Sequence, residues 1–257
     1  MKGSPTKECN DNILEIKGLT KKFGGVIATR NLDLVLKRNE LRCIIGPNGA
    51  GKSTLFNLIT GFIRPNSGSI IYEGNEVIGL TPDKLCRMGI GRKFQVPNVF
   101  FSLPVMDNLK LALYGTKGIK HLFEVSSSVD NNLLEKTLDT IGLKDKNNMI
   151  AEQLSHGEKQ WLEIGMVMIN SPALMLLDEP TAGMTPEETA KTAELILKIK
   201  NTLSIIVIEH DINFIKQISK TVTVLHRGSK LAEGTFEEVS ENEEVRDVYF
   251  GRSNSYH

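Results

Sequence analysis

The stretch Ile44-Ile45-Gly46-Pro47-Asn48-Gly49-Ala50-Gly51-Lys52-Ser53-Thr54 constrains the fold of this chain more than any other. An apolar run (Cys43, Ile44, Ile45) enters it, and a helical pattern (Thr54, Leu55, Phe56, Leu58, Ile59) leaves it. Between them stands G-x-x-x-x-G-K-S, the pattern of a phosphate-binding loop joining a strand to a helix. Glycines let successive backbone N–H groups converge on an anion-sized concavity. The helix that follows presents its positive N-terminal end to the same anion. In such a loop Lys52 reaches the β- and γ-phosphates of a nucleotide, and the Ser53 hydroxyl is placed to ligate Mg2+. The loop predicts nucleotide binding. By itself it leaves kinases, GTPases and motors equally open.

Composition narrows the field. The 257 residues are 40% hydrophobic and 24% charged, enough for one large core or two small subdomains. Lys+Arg and Asp+Glu are both 31, so charge gives no case for nucleic acid or an acidic membrane surface as partner. Cys9, Cys43 and Cys86 lack metal-like spacing and read as reduced thiols. Residues 1–12 are polar, without the apolar core of a secretory signal. No apolar run approaches membrane-spanning length, so any membrane role is expected to come through a partner.

Hydrophobic periodicity divides the chain in three. Strands are expected at 13–16, 32–36, 43–45 and 70–72, with a turn at Glu73-Gly74-Asn75. A helix follows the phosphate loop and stops at Gly61, and another starts at Pro82 with Thr81 as its N-cap. From 103 to 168 the pattern is helical, with helices at 105–113, 133–141 and 157–170 and a loop at 117–130. Strands at 173–177, 204–208 and 222–225 then alternate with helices at 186–200 and 211–219, which predicts a parallel sheet covered on its faces. Ligands bind at the strand ends of such a sheet. The acidic tail, 236–250, reads as one amphipathic helix.

Three further stretches carry chemistry. Leu174-Met175-Leu176-Leu177-Asp178-Glu179-Pro180 is an apolar strand ending in two carboxylates. Beside a phosphate loop, Asp178 is placed to hold Mg2+ through water, and Glu179 to polarise or deprotonate an attacking water. Ser204-Ile205-Ile206-Val207-Ile208-Glu209-His210 is the next strand, and His210 at its edge could hydrogen-bond a γ-phosphate. Leu154-Ser155-His156-Gly157-Glu158-Lys159-Gln160 opens a long helix whose N-terminus is a second anion site.

This ordered set resembles the ATP-binding subunits of ABC transporters over nearly the whole chain. The resemblance implies an α/β fold: a P-loop NTPase (RecA-like) core with an antiparallel β subdomain and an inserted helical subdomain. It divides the single cassette, 11–257, into a core of 11–95 and 166–257 and a helical part of 96–165. It implies Gly46, Pro47, Asn48, Gly49, Ala50, Gly51, Lys52, Ser53 and Thr54 on the phosphates, and Phe23 stacked on adenine where the family more often has Tyr. Gln95 in Arg92-Lys93-Phe94-Gln95 is expected to touch Mg2+ and the attacking water, so Ser53, Gln95 and Asp178 form the metal set and Glu179, His210 and Gln95 the catalytic set. Ser155, His156, Gly157 and Glu158 are expected to cap the γ-phosphate held by a second subunit, sandwiching ATP between head-to-tail chains. Here His156 stands where Gly is usual and Glu158 where Gln is usual, and Ala182-Gly183-Met184-Thr185 departs from the common S-A-L-D loop.

Within the family, Gly91-Arg92-Lys93-Phe94-Gln95, the stretch Leu154 onward and Ala182-Gly183-Met184-Thr185 resemble importers of the branched-chain amino acid type. Trp161-Leu162-Glu163 and the Ala182 loop are most similar to ATPase subunits of bacterial urea importers (the UrtD type), which implies urea or short-chain amides as cargo, with a branched-chain amino acid importer or a soluble non-transport ABC protein as the alternatives. The cofactors implied are ATP and Mg2+. The implied partners are a second ATP-binding subunit, identical or different, membrane permeases met through residues 96–109, and indirectly a periplasmic or extracytoplasmic binding protein. That places the chain peripherally on the cytoplasmic face of the inner membrane.

Overall fold

A computed structural model describes residues 11–95, 98–117 and 128–250. Its chain order begins with a hairpin of two long strands, β1 (Asn12–Phe23) and β2 (Val26–Lys37), turned by Gly24 and Gly25. Next come β3 (Leu41–Ile45), the phosphate loop and α1 (Lys52–Ile59). Gly61, at φ +71°, ends that helix as expected, its N–H bonded to Leu58 O. Then follow β4 (Ser67–Tyr72), β5 (Asn75–Glu76), α2 (Pro82–Arg87) and β6 (Ile90–Lys93). The helical part holds α3 (Val105–Lys117), α4 (Ser128–Thr140) and α5 (His156–Met168). The rest is β7 (Leu174–Asp178), α6 (Pro186–Ile199), β8 (Ser204–Ile208), α7 (Ile212–Ile218), β9 (Thr221–His226), β10 (Ser229–Gly234), α8 (Phe236–Glu241) and α9 (Glu243–Phe250).

Two sheets result. One is antiparallel, in the order β2-β1-β4-β5. The other has six strands in the order β10-β9-β3-β8-β7-β6, parallel except for the β9–β10 hairpin. The central strands β7 and β8 are apolar except at one end (Asp178, Ser204), and β3 except at Arg42, which pairs with Glu40 and Glu233, because both faces are covered. Side chains alternate across a strand. Ile44, Leu174, Leu176, Ile206 and Ile208 therefore enter one core with the antiparallel sheet and α1. Cys43, Ile45, Met175, Leu177, Ile205 and Val207 enter a second core with α3 to α7.

Four expectations need correction. β6 and β10 were not among the expected strands. The loop placed at 117–130 is helical at both ends, since α3 runs through Lys117 and α4 starts at Ser128; the rest of it, residues 118–127, lies outside the described set. The tail forms two helices rather than one. Asn242 leaves helical geometry (ψ 121°), and its Oδ1 accepts from Val245 N at 3.2 Å, starting α9 afresh. Among the described residues no helix is long and apolar enough to cross a membrane.

Leu176, fully buried in the middle of β7, tests how rigidly the sheet is packed. Leu176→Ala should lower stability by about 2–5 kcal/mol, read as a shift of the urea midpoint at unchanged slope.

Candidate nucleotide site

The phosphate loop is shaped by backbone that only glycine tolerates. Gly51 has φ +101°, and a Cβ there would lie 2.2 Å from Ala28 O. Gly49 has φ +79° at the exposed tip of the loop. Lys52, the first residue of α1, is buried and donates from Nζ to Gly46 O (2.7 Å) and Pro47 O (3.1 Å). Burial pulls its pKa below the usual lysine value, while Glu179 and Asp178 push it back up. Ser53 is exposed beside it. A cleft of about 310 Å³ runs from Phe23 and Val26, past residues 48–54, to Glu179 and His210. Phe23, half exposed at the end of β1, has Lys21 Nζ 5.0 Å from its ring centre.

At the other end of the cleft three predicted residues meet. Glu179 leaves β7 with φ +47°, a strained angle for a side chain with a Cβ, and its N–H is fixed by Ile208 O at 2.9 Å. Gln95 Nε2 donates to Glu179 Oε2 at 2.8 Å. His210 Nε2 lies 3.0 Å from Glu179 Oε1, and since a carboxylate accepts, that nitrogen carries the proton. A residue not singled out from sequence holds this corner together. The buried Glu209 accepts from Thr181 N (3.0 Å), Thr181 Oγ1 and His210 N (2.8 Å), tying the loop after Glu179 to the end of β8. Its place beside the expected His210 was the available signal.

Asp178 is buried and already paired. Arg92 on β6 reaches its Oδ2 at 3.0 Å and also donates to Asn57 Oδ1 (2.7 Å) and Thr60 Oγ1 (3.3 Å). The guanidinium sits over the Phe94 ring at 4.6 Å. Burial raises the Asp178 pKa, and Arg92 opposes that rise. Among the described residues no cluster of three His, Cys, Asp or Glu could cage a metal. Of the expected metal set Ser53 lines the cleft, Gln95 is bonded to Glu179 and Asp178 to Arg92; all three carry hard oxygen atoms of the kind Mg2+ takes, an ion that keeps waters and phosphate oxygens in its shell.

Ser155, His156, Gly157 and Glu158 do not line this cleft. They open α5 elsewhere and are engaged within their own chain. Ser155 is the N-cap of a capping box with Glu158, whose carboxylate also pairs with Lys146. The Ser155 hydroxyl donates to Glu188 Oε1 (2.8 Å), and Gly157 N donates to the same oxygen (3.2 Å). A Cβ on Gly157 would lie 2.7 Å from the Glu188 carboxyl. His156 Nε2 donates to Ala182 O at 2.9 Å and rests against Gly183, so it tethers the start of α5 to the loop after Glu179.

A phosphate loop, a Gln–Glu–His corner and an anion-binding helix start outside the cleft occur together in one family of ATPases. The ABC transporter family model matches residues 29–182, and a branched-chain amino acid ATP-binding cassette transporter model matches residues 229–253. The chain is 36% identical over 251 residues to the high-affinity branched-chain amino acid transport ATP-binding protein LivG of Escherichia coli strain K12, covering 94% of this chain and 98% of that one. It superposes on the ADP conformation of MJ1267, an ATP-binding cassette of an ABC transporter, with a TM-score of 0.84 at 27% identity, covering 93% and 99%. It also matches cbiO1 of Clostridium perfringens, part of the ABC transporter complex cbiONQ, with a TM-score of 0.80 at 27% identity, covering 95% and 97%. The chain belongs to the ATP-binding subunits of ABC transporters, ATPases whose hydrolysis is coupled to transport. More narrowly, the chain resembles the branched-chain amino acid importer type, as its likeness to LivG and to BraF of Pseudomonas aeruginosa shows.

Arg92→Met would leave the Asp178 carboxylate buried and unpaired, and should cost about 3–5 kcal/mol of stability by urea denaturation. Arg92→Lys should recover only part of it, because one ammonium cannot reproduce the fork to Asp178, Asn57 and Thr60.

Proposed function

We propose that this chain is the ATP-hydrolysing subunit of an importer, and that two such subunits close on ATP, hydrolyse it and reopen. The observation that carries the reading is Glu179, bracketed by Gln95 Nε2 and His210 Nε2 at the mouth of the phosphate-loop cleft. In this reading residues 46–54 cradle the phosphates, Lys52 exchanges its two loop carbonyls for β- and γ-phosphate oxygens, and Phe23 stacks on adenine. Glu179 takes the proton of the attacking water, Gln95 orients that water, and His210 bonds the γ-phosphate. Ser53, Gln95 and Asp178 would hold Mg2+, which when bound neutralises phosphate charge. Ser155, His156, Gly157 and Glu158 face the nucleotide of a second subunit. The Glu188 contact supports that assignment, since Ser155 Oγ and Gly157 N already hold one anionic oxygen.

The cassette is read as one domain, 11–257, with a core of 11–95 and 166–257 and a helical part of 96–165. Permeases are proposed to dock on residues 96–109, where Phe100 and Phe101 are exposed apolar side chains. That docking would hold the chain on the cytoplasmic face of the membrane, with an extracytoplasmic binding protein delivering the cargo. Branched-chain amino acids are the favoured cargo, on the naming of the relatives and the C-terminal family match. A urea cargo has narrower support in Trp161-Leu162-Glu163 and the Ala182 loop. Trp161 and Met184 serve packing within the ATPase: Trp161 Nε1 bonds Thr192 Oγ1 at 2.8 Å, and Thr192 Oγ1 lies 3.2 Å from Met184 Sδ.

Glu179→Gln should keep ATP binding and lower turnover by about 10²-fold or more. It should also trap an ATP-dependent dimer on gel filtration. Wild-type turnover in that variant would sink the assignment. Uptake of labelled leucine and of labelled urea by the reconstituted importer separates the two cargo readings.

A further inference from the structure

Lys93 and Glu163 form an ion pair that the nucleotide chemistry above leaves unused. Lys93 ends β6, two residues before Gln95, and its side chain is completely buried. Glu163 lies on α5, with a side chain 4% exposed, and its Oε2 is 3.7 Å from Lys93 Nζ. Both charges are turned toward the Gln95 turn. Lys93 Nζ donates to Phe94 O at 2.9 Å, and Glu163 Oε1 accepts from Asn98 N at 3.2 Å. One member of the pair therefore holds Phe94, the residue before Gln95, and the other holds Asn98.

The helix and strand that carry the pair lie in close contact. A Cβ on Gly91 would fall 2.5 Å from Val167 Cγ1 of α5. Glu163 stands two helical turns from His156, about 10 Å along the axis of α5 from the Ser155 end. An apolar pair of similar volume could fill this space without the cost of burying two charges. Packing alone does not account for a buried Lys and Glu, whereas the polar backbone of the turn needs partners.

We propose that Lys93 and Glu163 are positioning residues. They fasten Phe94 and Asn98, on either side of Gln95, to α5, so that the Gln95 amide meets Glu179 in a register set by the helix that begins at Ser155. This inference rests on the catalytic reading of Gln95 and Glu179 given above. It extends that reading to a joint between the hydrolytic corner and the helix proposed to meet the second nucleotide.

The test uses the full chain and the double variant Lys93→Met/Glu163→Leu, which removes both charges together and leaves neither unpaired. Its thermal midpoint should fall only by what the two lost bonds at Phe94 O and Asn98 N cost, leaving the chain folded, and its KM for ATP should stay within about twofold, because the phosphate loop is untouched. Its kcat should fall by about 10- to 100-fold, the scale of a misplaced catalytic group. Adding Gln95→Ala to the double variant should bring little further loss, since both changes disable one element. Wild-type kcat in the double variant, beside an impaired Gln95→Ala, would overturn the positioning role and leave the catalytic reading standing. Losses that simply multiply would overturn it too. Wild-type kcat in Gln95→Ala alone would overturn the inference together with the role of Gln95 on which it rests.

Discussion

A parallel strand covered on both faces carries an unpaired charge only where it leaves the sheet. Apart from Arg42, which is paired with Glu40 and Glu233, the inner residues of β3, β7 and β8 face one of two cores, so an unpaired carboxylate or imidazole among them would be stranded in an apolar medium. The polar groups therefore gather where the strands end: the phosphate loop after Ile45, Asp178 and Glu179 after Leu177, His210 after Ile208. Register brings these ends together. Asp178 pairs with Ile208 across the β7–β8 ladder, and Ile44 pairs with the same Ile208 on the other side. The site follows from the sheet more than from any loop, and Glu209, clamping Thr181 and the His210 N–H, locks the last exit in place.

The same constraint explains what was legible in the sequence. An apolar run that stops at a pair of acids announces both a buried strand and its functional end, so β3, β7 and β8 and the corner they form could be read directly. β6 could not. Its four residues include Gly91, Arg92 and Lys93, which look like a solvated turn. Both charges are buried, Arg92 against Asp178 and Lys93 against Glu163, and those partners lie more than sixty residues away in sequence. β10 hid for a different reason. It is an edge strand with few apolar residues, joined to β9 by a tight turn in which Arg227 and Gly228 both take positive φ (48° and 82°). Local pattern reports burial by hydrophobicity, and it is blind where burial is achieved by pairing charge.

Glu158 illustrates a second limit. Its position in the helix-opening motif suggested a contact with another subunit, yet N3 of a helix capped by Ser is also where a carboxylate closes a capping box. Both readings use the same residue type at the same spacing, and only the coordinates place its oxygen on Ser155 N and beside Lys146. His156 is comparable. A ring where glycine is usual looks disruptive, but the loop after Glu179 bends around it, with Gly183 at φ +75° leaving room for the imidazole and Ala182 O receiving its proton.

The start of α5 is in effect a calibrated anion site. A helix N-terminus attracts negative charge by about 0.3–1 kcal/mol at an exposed position. Here that pull is aimed: Ser155 Oγ and Gly157 N converge on one oxygen of Glu188, and these contacts, with the Thr185 N–H, hold the Glu188 carboxyl below the usual range. Glu188 is itself pinned as N3 of α6. The donors and the glycine clearance that accept this carboxylate are the features a phosphate oxygen would need, and the proposed sandwich asks for no new geometry at α5. It asks only that Glu188 yield the position, which a group carrying more charge and more acceptor oxygens is equipped to bring about.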